Sequence, residues 1–97
     1  MQFSLSLEAE EDIISIAEHG VRLFGAAQAR RYHGELFDVL DLIVANPRMA
    51  REREEISPPV RIFSFKAHLI VYRIEVNGEI FVIRVRHGHE DWASNSI

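Results

Sequence analysis

His68–Val76 reads HLIVYRIEV, Asn77-Gly78 follows, and Glu79–Trp92 reads EIFVIRVRHGHEDW. Two β-rich runs joined by Asn-Gly predict a hairpin, because both residues tolerate the positive φ that a type I′ turn demands. A two-residue turn at Asn77-Gly78 fixes the register. Val76 then lies opposite Glu79, Ile74 opposite Phe81, Tyr72 opposite Ile83, Ile70 opposite Val85 and His68 opposite His87.

Side chains alternate across a sheet, so this register sorts them onto two faces. One face carries His68, Ile70, Tyr72, Ile74, Phe81, Ile83, Val85 and His87, suited to packing under helices. The other carries Leu69, Val71, Arg73, Glu75, Ile80, Val82, Arg84 and Arg86. That second face is apolar at its centre and studded with arginine. It reads as a surface that a partner covers.

Outward from the hairpin, Val60–Phe65 (VRIFSF) is a strand, and a two-residue turn at Lys66-Ala67 points Phe63 and Phe65 to the helix face. Before it, residues 48–59 (RMAREREEISPP) hold six charged residues and two consecutive prolines. They read as a solvated crossing. Residues 26–45 form a helix with Ala29, Tyr32, Leu36, Val39, Leu40 and Ile43 on its buried face. Asn46-Pro47 ends it, since proline disfavours helix in the residue before it. An earlier helix, buried through Ala9, Ile13, Ile16, Ala17 and Val21, closes at Phe24-Gly25, a link short enough to fold the pair into an antiparallel hairpin. Gln2–Ser6 alternates as a short strand, with Ser6 as the N-cap of the first helix. The acids Glu8, Glu10, Glu11 and Asp12 then suit the positive end of the helix dipole, and no catalytic or metal role is expected of them. The order is β-α-α-β-β-β: an α+β fold, with a helical hairpin on one face of a small, largely antiparallel sheet and one domain spanning residues 1–97.

The 97 residues are 47% hydrophobic and 27% charged, the balance of a folded globular chain. There is no cysteine, which excludes disulfides and thiolate metal sites and fits a reducing compartment. Neither a signal peptide nor an apolar run of membrane-spanning length is legible, so a soluble cytoplasmic protein with no membrane association is expected. A net charge of −4 argues against direct DNA binding by the chain alone. No phosphate loop, nucleophile elbow or metal-ligand spacing occurs. His87 and His89, separated by Gly88, read as strand-end residues rather than metal ligands, and no cofactor is expected.

Several segments together carry a resemblance. They are Ala29-Arg30-Arg31-Tyr32, Asn46-Pro47, Arg61, His68-Leu69-Ile70-Val71-Tyr72-Arg73, and the closing Ile83–Trp92 with its R-x-x-H-G-x-x-D-W spacing. In order and spacing they resemble the ParE branch of the RelE/ParE toxin superfamily over nearly the whole chain. Departures fall at Val60 and Ala50, where glycine is common, and at Glu90, where methionine is frequent. The resemblance implies the toxin of a type II toxin–antitoxin module, neutralised by a ParD-like antitoxin and directed at DNA gyrase, with no chemistry of its own. It makes Leu69, Val71, Arg73, Ile80, Val82, Arg84 and Arg86 the expected antitoxin-binding set. Arg61, His89, Asp91 and Trp92 are the expected target contacts. The competing expectation is a RelE-like, ribosome-dependent mRNA endonuclease. Arg61, Arg84, Arg86 and His87, with Arg73, are the residue types that acid–base and phosphorane chemistry needs. Against it stand the acidic balance and the absence of a basic–aromatic tail. A third reading is a divergent toxin of little activity, whose arginines serve only interfaces and internal pairs.

Overall fold

The computed structural model describes residues 2–88. Its elements run β1 (Phe3–Leu5), α1 (Leu7–Phe24), α2 (Ala26–Ala45), β2 (Glu52–Arg53), β3 (Val60–Phe65), β4 (His68–Ile74) and β5 (Ile80–His87). The sheet order is β1-β5-β4-β3-β2, with β1 parallel to β5 and the remaining pairs antiparallel. The helices lie on one face, as the α+β reading requires.

Local chemistry explains the boundaries. Ser6, in extended geometry, accepts the Ala9 N–H on its hydroxyl at 2.9 Å and so caps α1. Gly25 ends α1 by donating its N–H to Val21 O, and it starts α2 by accepting from Ala29 N. Its φ of +90° is open only to glycine at little cost, so the two helices turn back through a single residue. They approach closely enough that a Cβ at Gly20 would meet the Ala29 side chain at 3.4 Å. Asn46 closes α2 through its own N–H and side-chain amide, both reaching carbonyls of the last turn.

The main core joins Ala9 and Ile13 of α1, Leu36, Leu40 and Ile43 of α2, and Ile70, Tyr72, Ile80, Val82 and Val85 of the sheet. Phe63 and Phe65 pack against it, as the Lys66-Ala67 turn predicts. Phe65 pairs with His68, and Lys66 alone of the described non-glycine residues takes a positive φ. Val21 departs from the expected buried stripe and is exposed, because at about 100° per residue it has turned away from Ala9 and Ile13 onto the outer side of α1.

Two expectations are corrected here. Residues 48–59 are not simply a solvated crossing. Glu52 and Arg53 add a short strand beside Arg61 and Val60, and Ile56 is buried with Val60 and Val71 on the sheet face away from the helices. Two buried aliphatics within a charged run, Ala50 in the main core and Ile56 on the opposite face, fold the loop back.

The second correction concerns register. The turn holds three residues, not two. Gly78 N–H reaches Glu75 O at 2.8 Å, Glu75 N–H reaches Glu79 O at 2.7 Å, and only Gly78 has positive φ. Asn77 instead accepts the Glu79 N–H on its side chain. This is a tight turn followed by a glycine in left-handed geometry, the next commonest hairpin closure after the primed turns. Near the turn the pairs are therefore Ile74↔Ile80, Arg73↔Phe81 and Tyr72↔Val82, whereas beyond it Val71↔Arg84, Ile70↔Val85 and His68↔His87 stand as expected. A bulge at Ile83 and Arg84 absorbs the difference. On the turn side of the bulge every β5 side chain changes face. Ile80 and Val82 enter the main core, while Phe81 and Ile83 go to the opposite face.

Candidate functional site

The bulge decides where the expected antitoxin-binding residues lie. Leu69, Val71, Arg73 and Arg86 do share the face away from the helices, but Val71 is fully buried beneath the Ile56 loop. Ile80 and Val82 are not on that face at all. Both are fully buried under α1 and α2, so no partner reaches them. Arg73 lies 4.8 Å over the Phe81 ring and donates to Glu75 at 3.0 Å.

Arg84, the residue that the bulge frees from alternation, turns to the edge of the sheet. Its Nε and Nη2 donate to the two oxygens of Asp12 at 2.8 and 3.0 Å, and Asp12 also accepts Val85 N–H at 2.9 Å. Here β5 has outrun β1, which pairs only as far as Val82. The start of α1 takes over as the edge cover: Ser6 N–H donates to Val82 O, Ser6 Oγ donates to Ile83 O at 2.6 Å, and Asp12 serves Val85. Asp12 is thus an edge clamp and not merely one of a run of dipole-facing acids. Its spacing from Ser6 gives no sign of this, because the clamp exists only once β5 is bulged.

The residues a nuclease would use are dispersed. Arg61 points to the helix side of β3 and donates to Ala50 O at 2.7 Å. His87 also lies on the helix side, but beside His68, with the two rings 5.5 Å apart. On β4 their cross-strand partners, Tyr72 and His68, are four residues apart, which is roughly 13 Å of strand. Arg86 is on the other face, opposite Leu69. Among the described residues no group of three or more His, Asp or Glu side chains could hold a metal ion. His89, Asp91 and Trp92 lie outside the described residues.

A groove that the sequence did not announce lies under the overhanging hairpin, with a volume of about 710 Å³. Ile16, Gly20 and Leu23 of α1, Ala29 and Leu36 of α2, and Val85 give it apolar walls, and Tyr32, Lys66, His68 and His87 stand at its sheet end. Tyr32 ties α2 to β4 there, its hydroxyl 2.6 Å from His68 Nδ1, and burial raises its pKa above the ordinary value. Lys66 pairs with Glu35 and sits 5.7 Å from the Tyr32 ring centre. Leu23 and Phe24 are 61% and 67% exposed at the outer lip. Their apolar character was legible in the sequence. That they overhang the sheet was not, since it depends on how far α1 runs past Val85.

The same architecture occurs elsewhere. A chain of the chromosomal ParDE toxin–antitoxin system from P. aeruginosa superposes with a TM-score of 0.75, covering 90% of this chain and 95% of that one at 23% identity, which establishes a shared fold. Toxin ParE1 of Mycobacterium tuberculosis (strain CDC 1551 / Oshkosh) is 34% identical over 90 residues, 93% of this chain and 92% of that protein. Toxin ParE1 of Caulobacter vibrioides is 31% identical over 85 residues, 88% of this chain and 86% of that protein. The model of the ParE toxin of the type II toxin–antitoxin system parDE matches residues 3–92, which takes in every element described above. With sequence agreement along that length and the fold to match, the chain belongs to the ParE toxin family of type II toxin–antitoxin systems.

Proposed function

We propose that this ParE-family toxin arrests growth by binding and inhibiting DNA gyrase in the cytoplasm, with no bond-breaking chemistry of its own. A ParD-like antitoxin silences it by laying an apolar segment in the groove beneath the helical hairpin. The observation that carries the inhibitor reading is the dispersal of Arg61, Arg84, Arg86 and His87. Acid–base cleavage of RNA needs its base, acid and cations within hydrogen-bond reach of one phosphate. Here Arg84 is engaged by Asp12, Arg61 by the Ala50 carbonyl, and Arg86 is across the sheet from His87. Gyrase as the target rests on family membership.

The groove supports the antitoxin half. It is concave, largely apolar and bordered by exposed Leu23 and Phe24, the form that an amphipathic segment ordering on its partner fills. The face the sequence favoured is less suited, since Val71 is already covered and Ile80 and Val82 belong to the core. Plasmid topology in cells producing the toxin alone is the test. Growth arrest accompanied by loss of negative supercoiling, with both relieved when the cognate antitoxin is co-produced, is expected. Arrest with supercoiling intact and transcripts cut would count against the proposal.

A further inference from the structure

The outer side of α1 carries a second apolar surface that neither the core nor the groove uses. Leu7, Ile14 and Val21 are 68%, 58% and 49% exposed, and none of them lines the groove. Seven-residue spacing drifts only about 20° per step around a helix, so the three form one ridge along α1. Leu42, also exposed, lies in the last turns of α2, at the end of the antiparallel hairpin where α1 begins.

The ridge has a charged border of one sign. Glu10, Glu11 and Glu18 stand four before, three before and four after Ile14, the positions that neighbour it on a helix surface. All three are exposed, and among the described residues no ion pair engages them. The helix dipole accounts for an acid in the first turn, such as Glu10, but its influence has faded by Glu18. Arg22, one turn beyond Glu18, is the cation that follows on this helix.

We infer that this ridge docks an amphipathic helix of another protein, one whose apolar stripe is flanked by lysine or arginine. Charge decides among the possible occupants. An anionic bilayer or a nucleic acid would meet the three carboxylates with its own negative charge. A second copy of the chain, paired antiparallel about Ile14, would set Leu7 against Val21 but also Glu10 against Glu18. A cation-flanked helix alone satisfies both the ridge and its border, in the helix-to-apolar-surface mode of recognition. The ridge and the groove lie on different sides of α1, so the toxin can engage this partner while the groove is filled.

The test uses the full chain and two synthetic helical peptides with the same leucine stripe, one flanked by lysines and the other by glutamates, read by fluorescence anisotropy. The lysine-flanked peptide should bind with a micromolar Kd that weakens as salt rises, and the glutamate-flanked one should bind at least about tenfold more weakly. Ile14→Lys and, independently, Glu18→Lys should each weaken the lysine-flanked peptide by about tenfold or more. Glu18 is exposed, so that variant reports even if Ile14→Lys folds poorly. Equal binding of the two peptides, or indifference to both variants, would overturn the inference. So would loss of the peptide when Leu23→Lys alters the groove, or when antitoxin is added. Self-association of the free chain that Ile14→Lys abolishes would assign the ridge to a second copy and overturn it equally.

Discussion

Replacing Asp12 with alanine removes the clamp that closes the bulged edge of β5. Three hydrogen bonds go at once: two from the Arg84 guanidinium and one from the Val85 N–H, all between 2.8 and 3.0 Å. Hydrogen bonds to a charged group contribute about 1.5–3 kcal/mol each, and bonds sharing one carboxylate are not additive. The Asp12 and Arg84 side chains are 17% and 25% exposed, so water screens part of the ion pair. Alanine's better helix propensity offsets about 0.5 kcal/mol. The net cost should be about 3 kcal/mol, a large share of the roughly 5–15 kcal/mol that a domain of this size commands. With a urea slope of about 1 kcal/mol/M, the unfolding midpoint should fall by about 3 M. Asp12→Asn keeps an acceptor for Val85 and should cost roughly half as much. A cycle combining Asp12→Ala with Arg84→Ala should return a coupling of about 1–2 kcal/mol. If Asp12→Ala shifts the midpoint by less than about 1 M, the edge is held by something other than this carboxylate.

Three further predictions follow from the same geometry. Leu23→Lys, at the exposed lip of the groove, should weaken antitoxin binding about thirtyfold or more in a titration while changing stability by less than about 0.5 kcal/mol; unchanged affinity would move the antitoxin elsewhere. Gly78→Ala should destabilise by about 1 kcal/mol because φ there is +89°, whereas Asn77→Ala should cost less because Asn77 has negative φ. Equal effects in urea melts would restore the two-residue turn. Burial raises the Tyr72 and Tyr32 pKa values above the ordinary 10.0, so the folded state favours the neutral phenols. That stability is fully present below pH 10 and is lost as pH rises through the folded pKa values. Tyr72→Phe, which removes the hydroxyl bonded to Pro47 O at 2.8 Å, should flatten the alkaline fall in stability.

Much of the fold was legible because its signals are local. Ser6 caps, Gly25 turns, Asn46-Pro47 stops, and the helical period of Ala29, Leu36, Leu40 and Ile43 is plain. Register was legible only in part. Asn-Gly closes either a two-residue or a three-residue loop, and the choice turned on backbone geometry at Asn77 and on a bulge that no residue type at Ile83 or Arg84 announces. One added residue sent Ile80 and Val82 into the core and Phe81 outward, which is why those two residues left the expected binding face. The groove depends on helix length relative to strand length, a tertiary quantity. Ile56, an aliphatic in a run of charges, looked like noise and proved to be a plug.

The most direct test of the account adds purified, antitoxin-free toxin to a gyrase supercoiling reaction and, in parallel, to translating ribosomes carrying a labelled mRNA. The account predicts that supercoiling is inhibited at micromolar toxin, that cognate antitoxin restores it, and that the mRNA stays intact. Supercoiling untouched at micromolar excess, with the mRNA cut on the ribosome, would contradict it.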